Sequence, residues 1–334
     1  KIGDKLMKLS TTEFESIKKV QEIAERDLLD KAIENVVGIG IGVKWVNNKP
    51  TEIPALMILV TEKVQLEKLS PNNIIPSEIE GVKTDVFSVN GVVKSLDLLP
   101  EGPHNTLDNF IRPVKGGYNI GSLTGTGTCG KIVRDAGNAN FPTYYVLSNN
   151  HVLADVNNAK IGDPVIQPAG QFNNLGRYRV AALSDFVPID FNFPNPNLVD
   201  AAIAAGELKN LSLEIYGIGY IDSWRTNKAV NQLPILTPVK KTGRTTDTSY
   251  GQIIAFNVSL NVVFRGESNI ARFQQQIFTN HMGRMGDSGS LLVTVENNEA
   301  IGLLFGGNES FVFFNYIENV QNALNIVVAD RKID

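Results

Sequence analysis

A single cysteine, Cys129, stands in a chain of 334 residues. It excludes an internal disulfide, and with it the bracing usual in small secreted domains. A protein of a reducing compartment is therefore expected, with the cytoplasm as its location. The chain opens on Lys1 rather than methionine, which leaves room for a removed leader. No apolar run approaches the roughly 20 residues needed to span a bilayer, so no membrane partner is expected. Basic runs are missing too: 31 Lys and Arg against 35 Asp and Glu give a net charge of −4. That carries no nucleic-acid footprint. The three histidines and one cysteine lack zinc-type spacing, and neither a metal nor an organic cofactor is expected.

What remains is an ordinary globular composition, 43% hydrophobic and 20% charged, in a chain long enough for two or three domains. Residues 11–34 place Phe14, Ile17, Val20, Ala24, Leu28 and Ala32 at a helical period, and Ser10 with Glu13 forms a candidate capping box. Such a helix either packs on its own domain or serves as an oligomerisation or regulatory arm. Residues 36–46 and 54–61 read as strands joined by a turn at 47–49. A short helix over 65–69 and a strand over 82–89 follow. Residues 1–97 are thus expected to form an N-terminal helix and a small α/β domain.

Residues 98–115 hold Pro100, Gly102, Pro103 and Pro113, a linker composition. Beyond them, many short strands separated by Gly, Asn and Pro predict a pair of β-barrels, about 116–208 and 212–316, within a domain over 116–334. Residues 316–326 regain helical spacing and predict a closing helix.

The chemistry sits in three places. Residues 143–151 (TYYVLSNNH) are an apolar strand delivering His151 at its end. Asp200 opens another apolar run, LVDAAIA. Residues 286–290 read GDSGS, a serine bracketed by glycines. A base, an acid to orient it and an activated hydroxyl make the Ser-His-Asp constellation for acyl transfer. By composition, Gly-Asp-Ser-Gly would arise by chance in roughly one chain of this length in 250, and alone it would read as a surface turn. Among the acids, Asp185 and Asp190 lie in a proline-rich loop where solvated turn carboxylates are the default. Asp200 instead leads a strand, where its carboxylate would be partly buried. His281 is too near Ser288 on one loop to serve as its base, and His104 lies in the linker.

With these strings in place, the segment from about 116 to 318 resembles a trypsin-like serine peptidase of the chymotrypsin fold. The order His, Asp, Ser is the one that family uses. The gaps of 49 and 88 residues compare with about 45 and 93 in its template. The strings IGDPVIQPAG (161–170), LVDAAIA (198–204) and KTGRTTDTSYG (241–251) resemble bacterial trypsin-like peptidases and the plant NARROW LEAF type. Residues 36–46 and 54–60, Ile75-Pro76 and Thr84-Asp85-Val86 resemble that group's extra N-terminal segment. The fold class implied is mainly β: a chymotrypsin-like double β-barrel, preceded by a small α/β domain and closed by a C-terminal helix.

The resemblance also assigns roles. The amides of Gly286 and Ser288 would form the oxyanion hole, Met282 would floor the primary specificity pocket, and Phe305, Gly306 and Gly307 would wall it. An apolar floor predicts cleavage after apolar or small residues rather than after Lys or Arg. Ser290 stands where the family often has glycine. No Ile-Val-Gly-Gly type string is present to release an amine onto Asp287, so other contacts must form the oxyanion loop.

The expected function is a serine endopeptidase acting on a protein or peptide substrate, with a homo-oligomer left open. A silent protease-fold scaffold or binding protein is the competing class, and an esterase using the same residues is a third. Residues 125–130 fit GxGxxG, but the strand-like run after them argues for a barrel strand bending at glycines rather than a nucleotide site.

Overall fold

A computed structural model describes residues 7–31, 35–96, 106–137, 142–171, 174–265 and 269–330. The first part of the expected linker, residues 98–105 with His104, lies outside them.

The N-terminal helix, Thr11–Ala24, begins at the expected cap. Ser10 Oγ accepts the Glu13 N–H at 3.2 Å, and the Glu13 carboxylate accepts the Ser10 N–H at 2.8 Å. It ends ten residues earlier than residue 34. At Glu25 the chain widens into a π-type turn, Glu25–Leu29, and the Glu25 carboxyl meets Gln21, Ser259 and Gln274.

The hairpin Val36–Val46 and Lys49–Val60 turns on Asn47 and Asn48, whose φ values of 52° and 60° suit a tight two-residue connection. Its first strand alternates by face. Ile39, Ile41 and Val43 join Phe14, Ile17 and Val20 of the helix in one apolar cluster. Gly38, Gly40 and Gly42 lie between them, where a Cβ would meet neighbouring strands at 2.4–2.9 Å. The helix expected over 65–69 shrinks to a single turn, Leu66–Lys68, that buries nothing. Strand Val82–Ser88 pairs parallel to Lys49–Val60.

The rest of the chain falls into two large sheets and a two-stranded one, Val114–Gly116 with Leu211–Ile215. An eight-stranded sheet gathers the strands between Asn119 and Ala205 apart from Pro196–Asn197, together with Ile326–Val327. In the larger sheet, the neighbours run Asn269–Asn280, Phe311–Tyr316, Ala300–Gly307, Leu291–Thr294, Pro238–Gly243 and Asp247–Phe264. The last pairs back onto Asn269–Asn280, closing a ring. Val36–Val46 then pairs antiparallel with Asp247–Phe264, so the N-terminal strands continue the second barrel's sheet. Helix Ile317–Leu324 closes the chain, burying Ile317, Val320 and Leu324. The architecture is mainly β, a double barrel preceded by a small α/β unit and capped by a C-terminal helix.

Candidate active site

Strand Tyr144–Ser148 ends in a short helical turn, Asn150–Leu153, that carries His151 into the seam between the barrels. The His151 Nδ1–H donates to Asp200 Oδ2 at 2.5 Å, and the His151 backbone N–H donates to Oδ1 at 3.2 Å. Both residues are fully buried. Asp200 sits two residues before strand Ala202–Ala205 and is clamped through its own backbone. Its N–H donates to Asn315 Oδ1 at 3.0 Å, and its carbonyl accepts Asn149 Nδ2 at 2.6 Å. A carboxylate accepting at Nδ1 fixes the tautomer that leaves Nε2 available as a base. Of the rejected acids, Asp190 accepts from Asn192 and Asn195 within its loop, whereas the exposed Asp185 lies not in a loop but in strand Arg179–Phe186, where it pairs with Ile203. His281 is exposed as well.

Ser288 reaches the seam from the other barrel. Its carbonyl accepts the Thr128 N–H at 2.8 Å. A Cβ on Gly127 would meet Ser288 O at 2.8 Å and Val152 at 2.6 Å, so one glycine's width separates the serine from His151's neighbour. Ser288 Oγ is buried and meets no hydrogen-bond partner among the described residues, so the serine–histidine bond is not closed in this state. The glycines of GDSG answer close approach. Gly289 has φ of 92°, and a Cβ there would lie 2.2 Å from Ser148 Oγ and 2.4 Å from Thr128 O. A Cβ on Gly130 would likewise lie 2.2 Å from Gly289 O. The GxGxxG string is therefore the first barrel's half of the seam.

The loop leading to Ser288 is braced by a residue that the sequence did not single out. Lys241 Nζ lies 2.8 Å from Asp287 Oδ2, with both side chains fully buried. The same carboxylate accepts backbone N–H groups from Arg284, Thr245 and Thr246 and the Thr246 hydroxyl. Burial works against the Asp287 charge, but Lys241 and these donors outweigh it and hold the carboxyl below the usual range. Ser290 Oγ donates to the Asp287 carbonyl at 2.5 Å, tightening the turn.

Gly286 has φ of 91°, and its N–H points into the cleft, donating to the carbonyl of Leu96 at 2.9 Å. The cleft is filled by the chain itself: Lys94–Ser95 pairs antiparallel with Gly306 and Gly307 and parallel with Val263. Leu96 is 3% exposed and shares an apolar cluster with Met282, Leu304 and Val312. Phe305 points the other way, tilted against Phe273 at 4.7 Å between ring centroids, so only its backbone remains on the cleft side. The Phe264 and His151 rings meet in a T-shaped arrangement with centroids 6.2 Å apart.

Residues 22–92 match the family model of the NARROW LEAF 1 N-terminal domain. No curated protein sequence matches the chain. Among solved structures it is similar to Thermobifida fusca protease A, at 15% identity and a TM-score of 0.45 over 65% of this chain and 99% of that one. It is similar to the Nocardiopsis protease at 19% identity and a TM-score of 0.45, with the same coverages. Cellulomonas bogoriensis chymotrypsin aligns at 19% identity and a TM-score of 0.43, over 64% of this chain and 96% of that one.

Cys129 is fully buried, and burial pushes its thiol up to about 12, far from a working nucleophile. Among the described residues, no group of three or more His, Cys, Asp or Glu could hold a metal ion, and no helix is long and apolar enough to cross a membrane. A cavity of about 250 Å³ lies away from the seam, against Leu9, Phe14, Lys18, Asn231, Gln275 and Tyr316.

Proposed function

We propose that the protein is a serine endopeptidase. Support comes chiefly from the buried His151–Asp200 pair, with Ser288 on the other side of the glycine-lined seam. In the reaction, His151 Nε2 takes the Ser288 hydroxyl proton while Oγ attacks a peptide carbonyl. Asp200 holds the ring and offsets the charge it gains. The tetrahedral oxyanion is met by the amides of Gly286 and Ser288, the first of which already donates to a carbonyl. His151 then returns the proton to the leaving amine, and the peptide C–N bond breaks. Water repeats the cycle on the acyl-enzyme, giving a carboxylic acid and free serine. Every step uses side chains and amides of the chain, with protein or peptide as substrate.

A fluorophosphonate probe tests this directly. Labelling at Ser288 that vanishes in Ser288→Ala is expected, together with peptide turnover lowered about 10⁴–10⁶-fold in that variant. Turnover equal to the wild type would end the assignment.

A second reading is favoured by one observation. The triad residues are all fully buried, and the cleft holds the chain's own strand. A scaffold that keeps the fold without turnover would show that occlusion permanently, and would never label.

A further inference from the structure

The strand in the cleft is seated as a substrate would be. A peptide bound to a sheet edge adds as a strand, with backbone bonds giving affinity and alternate side chains giving selectivity. Lys94–Ser95 does this against the glycine wall, with Ser95 opposite Gly306 and Lys94 opposite Gly307. A Cβ on Gly306 would come within 3.1 Å of Lys94 O, so the wall is glycine where the added backbone runs closest. One residue further on, the Leu96 carbonyl accepts from the Gly286 amide, two residues before the candidate nucleophile. The Leu96 side chain is buried in the cluster that holds Met282, the expected pocket floor. Lys94 points its side chain to solvent, while Val93 is fully buried beside Val89 and Val262. The second edge of the segment is held as well, because the Val263 N–H donates to Val93 O at 3.0 Å.

We propose that residues 93–96 are a built-in pseudosubstrate, with Leu96 as the residue whose side chain fills the primary specificity pocket. Resting on the endopeptidase reading, this names the substrate class: protein segments in extended conformation, cut after leucine or a similarly sized aliphatic residue. It also gives the order of events, since the 93–96 segment must leave before a substrate strand can add to Gly306 and Gly307. The pocket accepts a leucine in an apolar, water-excluded setting. Arginine or glutamate there would be buried without a partner charge, which disfavours both.

The test uses the full chain and two readouts. Fluorophosphonate labelling rates are compared for the wild type, Leu96→Asp and Lys94→Pro. Lys94→Pro removes a backbone donor at an exposed side chain, so it loosens the strand without emptying a core position. Folding of each is confirmed by circular dichroism. Labelling at least about tenfold faster in either folded variant is expected. Separately, Val-Lys-Ser-Leu p-nitroanilide is compared with the same peptide ending in Arg, Glu or Phe. Leucine should give kcat/KM at least about tenfold above Arg and Glu, in line with burying a large aliphatic side chain. Equal labelling rates in folded variants, or Arg or Glu preferred over leucine, would overturn the pseudosubstrate. Absence of labelling in every variant would instead overturn the endopeptidase reading beneath it.

Discussion

Lys241 Nζ sits 2.8 Å from the carboxylate of Asp287, one residue before Ser288, with no solvent at either group. Breaking one member of a buried pair leaves the other charged and uncompensated, at a cost of about 3–5 kcal/mol. Lys241→Met is therefore expected to lower the melting temperature and, in the molecules that remain folded, to slow fluorophosphonate labelling of Ser288. Thermal denaturation followed by labelling below the melting point checks both. A variant with wild-type stability would show that the backbone donors alone hold Asp287.

Gly130 and Gly162 make a matched pair of tests. A methyl on Gly130 would meet Gly289 O at 2.2 Å, whereas Gly162 at φ 95° faces open space. Gly130→Ala is expected to destabilise through overpacking of the seam, by about 1–3 kcal/mol. It should also disturb the serine turn. Gly162→Ala carries only the left-handed backbone cost of about 1–2 kcal/mol and should leave labelling of Ser288 untouched. Denaturant melts of both, with labelling rates beside them, separate the two effects.

Asp200→Asn keeps the shape and removes the acceptor that sets the His151 tautomer. Peptide turnover should fall on the order of 10⁴-fold while the fold persists. A loss under tenfold would mean that Asn149 and Asn315, which grip the Asp200 backbone, suffice to orient the ring.

Glu25 predicts a pH dependence in the docking of the N-terminal helix. Its carboxyl is pushed up chiefly by burial, against the opposing bonds from Ser259 and Gln21 and the nearby Arg272 charge. The folded chain then keeps this proton to higher pH than the unfolded chain does. Stability from Glu25 is full below the ordinary glutamate value and is lost as pH rises through the folded one. Wild-type melting temperatures should therefore carry a downward contribution with rising pH above about 4.5, which Glu25→Gln removes. Melts of both proteins from pH 4 to 8 decide it, and parallel curves would refute the role of Glu25.

Much of this was legible in the sequence, because strong local signals agreed with the fold. Ser10 and Glu13 formed their box, Asn47 and Asn48 turned their hairpin, and the strand before His151 falls at Tyr144–Ser148 as written. The meeting of His151 with Asp200 followed from motif order. What stayed hidden was non-local. Nothing in KTGRTTD marks Lys241 as buried, since a lysine beside Thr and Gly reads as solvated until another loop supplies its carboxylate. Nor could Val-Lys-Ser-Leu announce itself as the cleft's occupant, because its pairing with Gly306 and Gly307 spans more than 200 residues of chain. Phe305 was read as a pocket wall from its place in the motif. The strand's alternation turns its ring onto Phe273 instead.

The Lys241 brace has a consequence for timing. On the proposed endopeptidase reading, a cation carried inside the second barrel arrives with the barrel itself, so the anion cradle would be complete as soon as the polypeptide has folded, with no cut required to finish it. Restraint must then come from something equally immediate, and a stretch translated well before the barrel it blocks satisfies that condition.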